Sequence, residues 1–345
     1  MKRHKARKDK VILPRGKIDA FCLMLVRSRP VAMAPHFEGL IHRLKQGLST
    51  VELVHVPHDL WPLRRLSTPT TSTPGCVRIS VLDSSFNPPT LAHHALARAR
   101  SSVLEDGEDF DARLLLLSVR NADKSLKQGD ATYSQRLEMM VLLAQSISTT
   151  SSYSSSANEA DANVAVAIID EPTFVGKSRI LLDFMRSRVS TLSTSLPIPS
   201  QASFDLSPEL TFVVGLDTLE RILAVRYYED DDHMRRSLHG FLSPSGDNSR
   251  LLCARRSIPG SEESSSEHER VVLELARKHI DIERLEMIDI GATIEAYSSS
   301  EVRERIARSD SLWERMVLPR VAEYIKDQRL YIPTPSDTQN DIRKQ

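Results

Sequence analysis

Short apolar runs alternate with helix-periodic segments along most of the chain. The runs are Val77–Leu82, Leu114–Val119, Val164–Ile169, Leu210–Val214, Leu251–Ala254 and Leu285–Ile290. Short, mostly apolar runs of this kind suit the strands of a parallel sheet, which are covered on both faces. Between them lie Leu91–Arg100, the stripe Leu137, Met140, Val141 and Ala144, the segments Ile180–Met185 and Thr218–Tyr227, and the group Val271, Val272 and Leu275. Each has helical spacing or good helix formers. A last helix follows Pro319 and buries Val321, Tyr324 and Ile325. An earlier one carries Phe37, Leu40, Ile41, Leu44 and Leu48. Val51–Val56 fits a short strand or an extended connection. Ser134 and Asp217 read as helix N-caps, and Glu229–Asn248 reads as a solvated loop. Strand and helix in alternation predict an α/β fold, a doubly wound parallel sheet. Such sheets bind ligands beyond the carboxyl ends of their strands, at the point where strand order reverses.

Composition narrows the classes. The 345 residues carry 46 Lys and Arg against 46 Asp and Glu, so no global field argues for nucleic acid or a membrane surface. Cys22, Cys76 and Cys253 are far apart, a pattern that suits buried thiols in a reducing compartment better than a disulfide framework or a zinc site. Apolar runs are all short of a membrane span. Residues 1–36 are expected to form a basic, disordered extension; ten Lys or Arg and two Asp fall in the first 30. Residues 37–336 are expected to form one domain. Ser-rich insertions are expected at 146–161 and 190–207, loops at Ser67–Gly75 and Gly260–Ser266, and a polar tail at 337–345.

The chemistry concentrates in one stretch, where the apolar run Val77–Leu82 meets Asp83–Thr90 and then a helix. Strand, tight loop and helix form a common anion-binding layout, because the first helical N–H groups face the loop. Pro88 and Pro89 fix φ there, Thr90 can cap the helix or donate to a phosphate, and His93 follows about one turn later. A helix-face histidine is the plain structural alternative.

The run Ser84-Ser85-Phe86-Asn87-Pro88-Pro89-Thr90-Leu91-Ala92-His93 resembles the GSFNPPTxGH signature of the nicotinamide mononucleotide adenylyltransferases, within the HxGH/TxGH nucleotidylyltransferases. Ser84 stands where most members have glycine, and Ala92 replaces the second glycine; a fungal branch similar to this family carries the serine form. Tyr297-Ser298-Ser299-Ser300-Glu301-Val302-Arg303 resembles the closing ISSTxxR motif, and Gly215-Leu216-Asp217-Thr218-Leu219 the GxDxL segment. Arg255, at the end of an apolar run, and Leu318–Tyr331 also follow the family pattern.

The resemblance implies a Rossmann-like nucleotidylyltransferase fold and adenylyl transfer from ATP to nicotinamide mononucleotide or its acid form. It implies His93, Lys124 and Arg303 as catalytic residues, with Arg136 near the start of the next helix. Ser84, Ser85, Phe86, Asn87, Thr90, Gly215, Asp217, Arg255, Ser299 and Ser300 would bind the nucleotide. Thr173 and Phe174 are candidates for the nicotinamide side. Mg²⁺ would accompany ATP, held by phosphates and water rather than by a protein metal site. Partners would be ATP and the mononucleotide, without nucleic acid or membrane and with homo-oligomerisation open, in cytoplasm or nucleus. Alanine at His93 is expected to remove activity with little effect on stability. Two alternatives remain: another nucleotidylyltransferase, or an ATP-binding or ATP-hydrolysing relative with a role in protein quality control.

Overall fold

Seven strands form one sheet in a computed structural model that describes residues 34–64, 75–102, 109–120, 129–152, 163–195, 206–255 and 262–333. They are β1 (Val51–His55), β2 (Cys76–Asp83), β3 (Ala112–Ser118), β4 (Val164–Ile169), β5 (Ser207–Gly215), β6 (Arg250–Ala254) and β7 (Leu285–Ile288). Their spatial order is β1-β4-β3-β2-β5-β6-β7. The six strands from β2 onward are parallel. β1 closes one edge antiparallel to β4, with Val51 opposite Ile169. The chain runs from β2 outward through β3 and β4, then returns to the other side of β2 with β5, β6 and β7. Strand order therefore reverses between β2 and β5, as in a doubly wound Rossmann-like sheet.

Ten helices flank the strands among the described residues: α1 (Ala34–Lys45), α2 (Leu91–Ala97), α3 (Tyr133–Ser152), α4 (Phe174–Ser195), α5 (Leu216–Ile222), α6 (Asp231–Leu242), α7 (Glu262–His279), α8 (Ala292–Glu295), α9 (Ser299–Ala307) and α10 (Pro319–Asp327). Alternate strand residues feed two cores. Ile79, Val81, Leu114 and Leu116 pack with Leu181, Leu182 and Met185 of α4 and with Leu216, Leu219, Leu238 and Phe241. Leu82, Leu115 and Leu117 pack on the other face with Phe37, Leu137, Met140 and Val141. A satellite cluster around Trp313, Val321 and Ile325 ties α9 and α10 to Met139 of α3. No described helix is long and apolar enough to cross a membrane.

Several expectations need correction. Helix α3 continues through Ser146 to Ser152, with Ile147 fully buried, so the expected insertion begins later than residue 146. Likewise α4 runs to Ser195, past the expected start of the second insertion, and α7 opens at Glu262 inside the expected loop. Leu48 lies beyond α1 and is 65% exposed. The segment read as a solvated loop contains α6, whose buried Met234, Leu238, Phe241 and Leu242 keep helical spacing and whose N-cap Asp230 accepts from the His233 N–H. Thr132, not Ser134, caps α3; its hydroxyl accepts from the Gln135 N–H while the Gln135 side chain accepts from the Thr132 N–H, a reciprocal cap.

Candidate active site

The loop after β2 sits at the reversal point. Leu82 is level with Val213 in the register, so Ser84 and Gly215 leave the carboxyl edge of the sheet side by side. The Ser84 N–H donates to the Leu116 carbonyl at 3.3 Å and prolongs the ladder by one residue. Phe86 then turns the chain with φ of 44°. That region costs a non-glycine residue about 1–3 kcal/mol and persists where the surroundings hold it. Here the fully buried Phe86 ring is the anchor. Its side chain belongs to the core.

Asn87 is also buried, and every polar atom of its side chain is engaged. Its Nδ2 donates to Asp130 at 2.7 Å, while Oδ1 accepts from the Tyr331 hydroxyl at 2.9 Å and the Ala131 N–H at 3.3 Å. The side chain thereby shapes the loop. Thr90 is 1% exposed, and its hydroxyl lies 2.9 Å from His93 Nδ1. The Thr90 N–H donates to the same nitrogen at 3.0 Å, and His93 Nε2 lies 2.9 Å from the Ser84 hydroxyl. Thr90 therefore holds the histidine. Helix α2 has only seven residues, so these side chains supply more of the local chemistry than its short dipole can.

The two distant motifs meet. The Ser299 hydroxyl donates to the Pro88 carbonyl at 2.8 Å, and Arg303 Nη1 donates to the Asn87 carbonyl at 2.6 Å. Arg303 also reaches Ser300 Oγ at 3.3 Å and lies 3.7 Å from Asp130. Its side chain keeps 29% of its exposure, so its fork can still meet an anion. Ser298 caps α9 by accepting from the Glu301 N–H. Ser299 is thus committed to the loop, while Ser300 stands beside Arg303. Arg136 lies behind Asp130 at 3.6 Å and donates to the Ala131 carbonyl. Burial pulls its guanidinium below the ordinary value, against the opposing pull of Asp130.

The remaining positions spread along the same edge. Gly215 is the N-cap of α5, with φ of −91°, and a methyl group there would meet nothing within 4 Å. The fold itself does not require glycine at this position. Asp217 lies in the first turn of α5 and is not its cap. Arg255 follows β6 and pairs with Glu269 at 2.7 Å. Lys124 lies outside the described residues. Thr173 caps α4, accepting from the Gly176 N–H and donating to Glu171; the Phe174 ring packs edge-on against Phe212 at 5.8 Å.

Sequence reasoning passed over Asp83, Asp130, Lys177 and Tyr331. Lys177 of α4 and Asp83 at the end of β2 form a buried ion pair at 2.5 Å. Asp130 gathers Asn87, Arg136 and Arg303. Only Tyr331 carried a signal, in the motif-like end of the chain.

Burial pushes the His93 imidazole down to about 4. The fold favours the neutral ring, so between about pH 4 and 6.5 the unfolded chain binds the extra proton. This contribution to stability is complete above the unfolded value near 6.5 and is lost as pH falls toward 4. Urea midpoints measured from about pH 7 to 4.5 are expected to fall for the wild type and to fall less for His93→Asn.

No family model matches the chain. A Schizosaccharomyces pombe protein described as "Putative nicotinamide mononucleotide adenylyltransferase" is 27% identical over 250 residues, spanning 70% of this chain and 81% of that one. The chain is similar to that relative over most of both lengths. Among solved structures it is similar to Plasmodium falciparum nicotinic acid mononucleotide adenylyltransferase complexed with NaAD, at 15% identity and a TM-score of 0.42, covering 74% of this chain and 97% of the other. The same enzyme complexed with APC gives 13% identity and a TM-score of 0.39, covering 74% and 96%. In this chain the Ser84 hydroxyl contacts the histidine of the motif.

Proposed function

We propose that this protein transfers the adenylyl group of ATP to nicotinamide mononucleotide or its acid form. The observation that carries the reading is the docking of the Ser299–Arg303 motif on the Asn87–Pro88 backbone, at the sheet's reversal point, in a relative of adenylyltransferases. A 5′-phosphate oxygen of the mononucleotide would attack the α-phosphorus of ATP as the bond to the β-phosphate bridging oxygen breaks. Pyrophosphate leaves and the dinucleotide forms, with no covalent enzyme intermediate. Such chemistry needs placement and charge stabilisation more than proton transfer. Arg303 and Ser300 would meet the departing phosphates, and the Ser84–His93 pair the phosphate nearest β2. Gly215 leaves room for the adenosine, and Asp217 would accept from a ribose hydroxyl.

Among the described residues no group of three or more His, Cys, Asp or Glu is placed to hold a metal, and Asp83 and Asp130 are engaged with cations. The donor set suits Mg²⁺ carried by the nucleotide, where it screens phosphate charge. The test uses the purified full chain with ATP, Mg²⁺ and either mononucleotide, following dinucleotide and pyrophosphate together. Stoichiometric appearance of both is expected, with Arg303→Ala slower by about 10²-fold. ATP consumed without dinucleotide would overturn the transfer reading in favour of a hydrolysing relative.

A further inference from the structure

The partners of His93 fix which of its nitrogens carries the proton. A backbone N–H can only donate, so the Thr90 N–H at 3.0 Å requires a lone pair on Nδ1. A neutral imidazole has one N–H, which must then be on Nε2. If Ser84 donated to Nε2 as well, both nitrogens would be acceptors and the ring would have to be an imidazolate. The 2.9 Å contact therefore runs from His93 Nε2–H to Ser84 Oγ. This spends the histidine's one proton on the serine. The serine's own proton is left without an acceptor, since Ser84 Oγ has no other hydrogen bond among the described residues. Ser84 is half-buried at the carboxyl edge, beside the open space at Gly215.

We propose that Ser84, rather than His93, presents the donor proton to the nucleotide phosphate at this site, with His93 holding the hydroxyl in place. The proposal rests on the reading of the site as a nucleotide site. The Nε2–H bond polarises the hydroxyl and strengthens its donation, as in a chain of hydrogen bonds. His93 is then a positioning residue, anchored by Thr90 on one nitrogen and aiming Ser84 with the other. Ser84 is the group that touches the ligand.

The test compares wild type, Ser84→Ala and Ser84→Thr by calorimetric titration with ATP and Mg²⁺ and by transfer rate, with thermal melts as folding controls. Loss of a hydrogen bond to a charged oxygen should weaken ATP binding or slow turnover by about tenfold in Ser84→Ala. Threonine keeps the hydroxyl and should restore most of the loss; the melts should show all three proteins folded, with Ser84→Ala melting lower because the buried His93 Nε2–H loses its acceptor. A Ser84→Ala protein that binds ATP and turns over like the wild type, or faster, would overturn the proposal by showing that His93 meets the phosphate itself. If the wild type binds ATP but makes no dinucleotide, the transfer reading fails while the ATP affinities still decide the role of Ser84. If it binds no ATP, both fail.

Discussion

Replacing His93 with alanine is expected to slow adenylyl transfer by about tenfold, as much as losing the Ser84 hydroxyl that it holds in place. The change also costs stability. The Thr90 N–H loses its acceptor, which is worth about 1–3 kcal/mol when the group is buried, and the Phe86 ring loses the imidazole 5.1 Å from its centroid. Sequence alone suggested a ligand-facing histidine that could be removed with little effect on the fold; the two-sided hydrogen bonding revises this. Asparagine separates the two effects. Its shorter side chain can offer an oxygen where Nδ1 stands but cannot reach Ser84, so His93→Asn should keep most of the stability and still show the slower transfer. Parallel urea denaturation and initial-rate measurements check both. Full activity in either variant would remove His93 from the proposed chemistry.

The strands of this fold were legible because they are buried on both faces. Val164–Ile169 is an unbroken apolar run and becomes β4 with the same limits. Helix α6 was hidden for the opposite reason. It buries one narrow stripe, Met234, Leu238, Phe241 and Leu242, and apart from Gly240 is otherwise polar or charged. The direction of β1 was also out of reach, since five residues with a mixed pattern fit an edge strand of either sense. At the candidate site, the residues in motifs were found and those that hold the motifs were not. Asp130 and Lys177 lie in segments with no pattern of their own. Their place comes from the tertiary fold, which brings Asp130 to Asn87 across 43 positions and Lys177 to Asp83 across 94. Phe86 and Asn87 are a different case. They lie inside the signature, yet the side chains build the loop from within.

Lys177→Met is expected to give the largest loss of stability of any single change discussed, about 3–5 kcal/mol. The Lys177 and Asp83 side chains are 5% and 9% exposed and lie 2.5 Å apart. Removing the cation leaves a carboxylate almost out of water, and its desolvation is no longer offset. The methionine keeps the aliphatic stem over the Phe174 ring, which the ammonium now faces at 5.0 Å, so lost packing contributes little. Asp83→Asn combined with Lys177→Met removes both charges at nearly constant volume and should recover most of the deficit, since replacing a whole buried pair is often close to neutral. Denaturant melts of the wild type, the two single variants and the double variant form the cycle that measures the pair. Singles that melt like the wild type would show that the pair contributes nothing. The same four proteins also test what the pair does for the site. Asp83 immediately precedes Ser84, so a frayed carboxyl end of β2 would displace the Ser84 hydroxyl before the fold is lost. If that is the pair's role, the double variant recovers transfer along with stability. If the double variant recovers stability and stays inactive, the ammonium of Lys177 acts on the nucleotide itself, and the site contains a cation that its motifs did not mark.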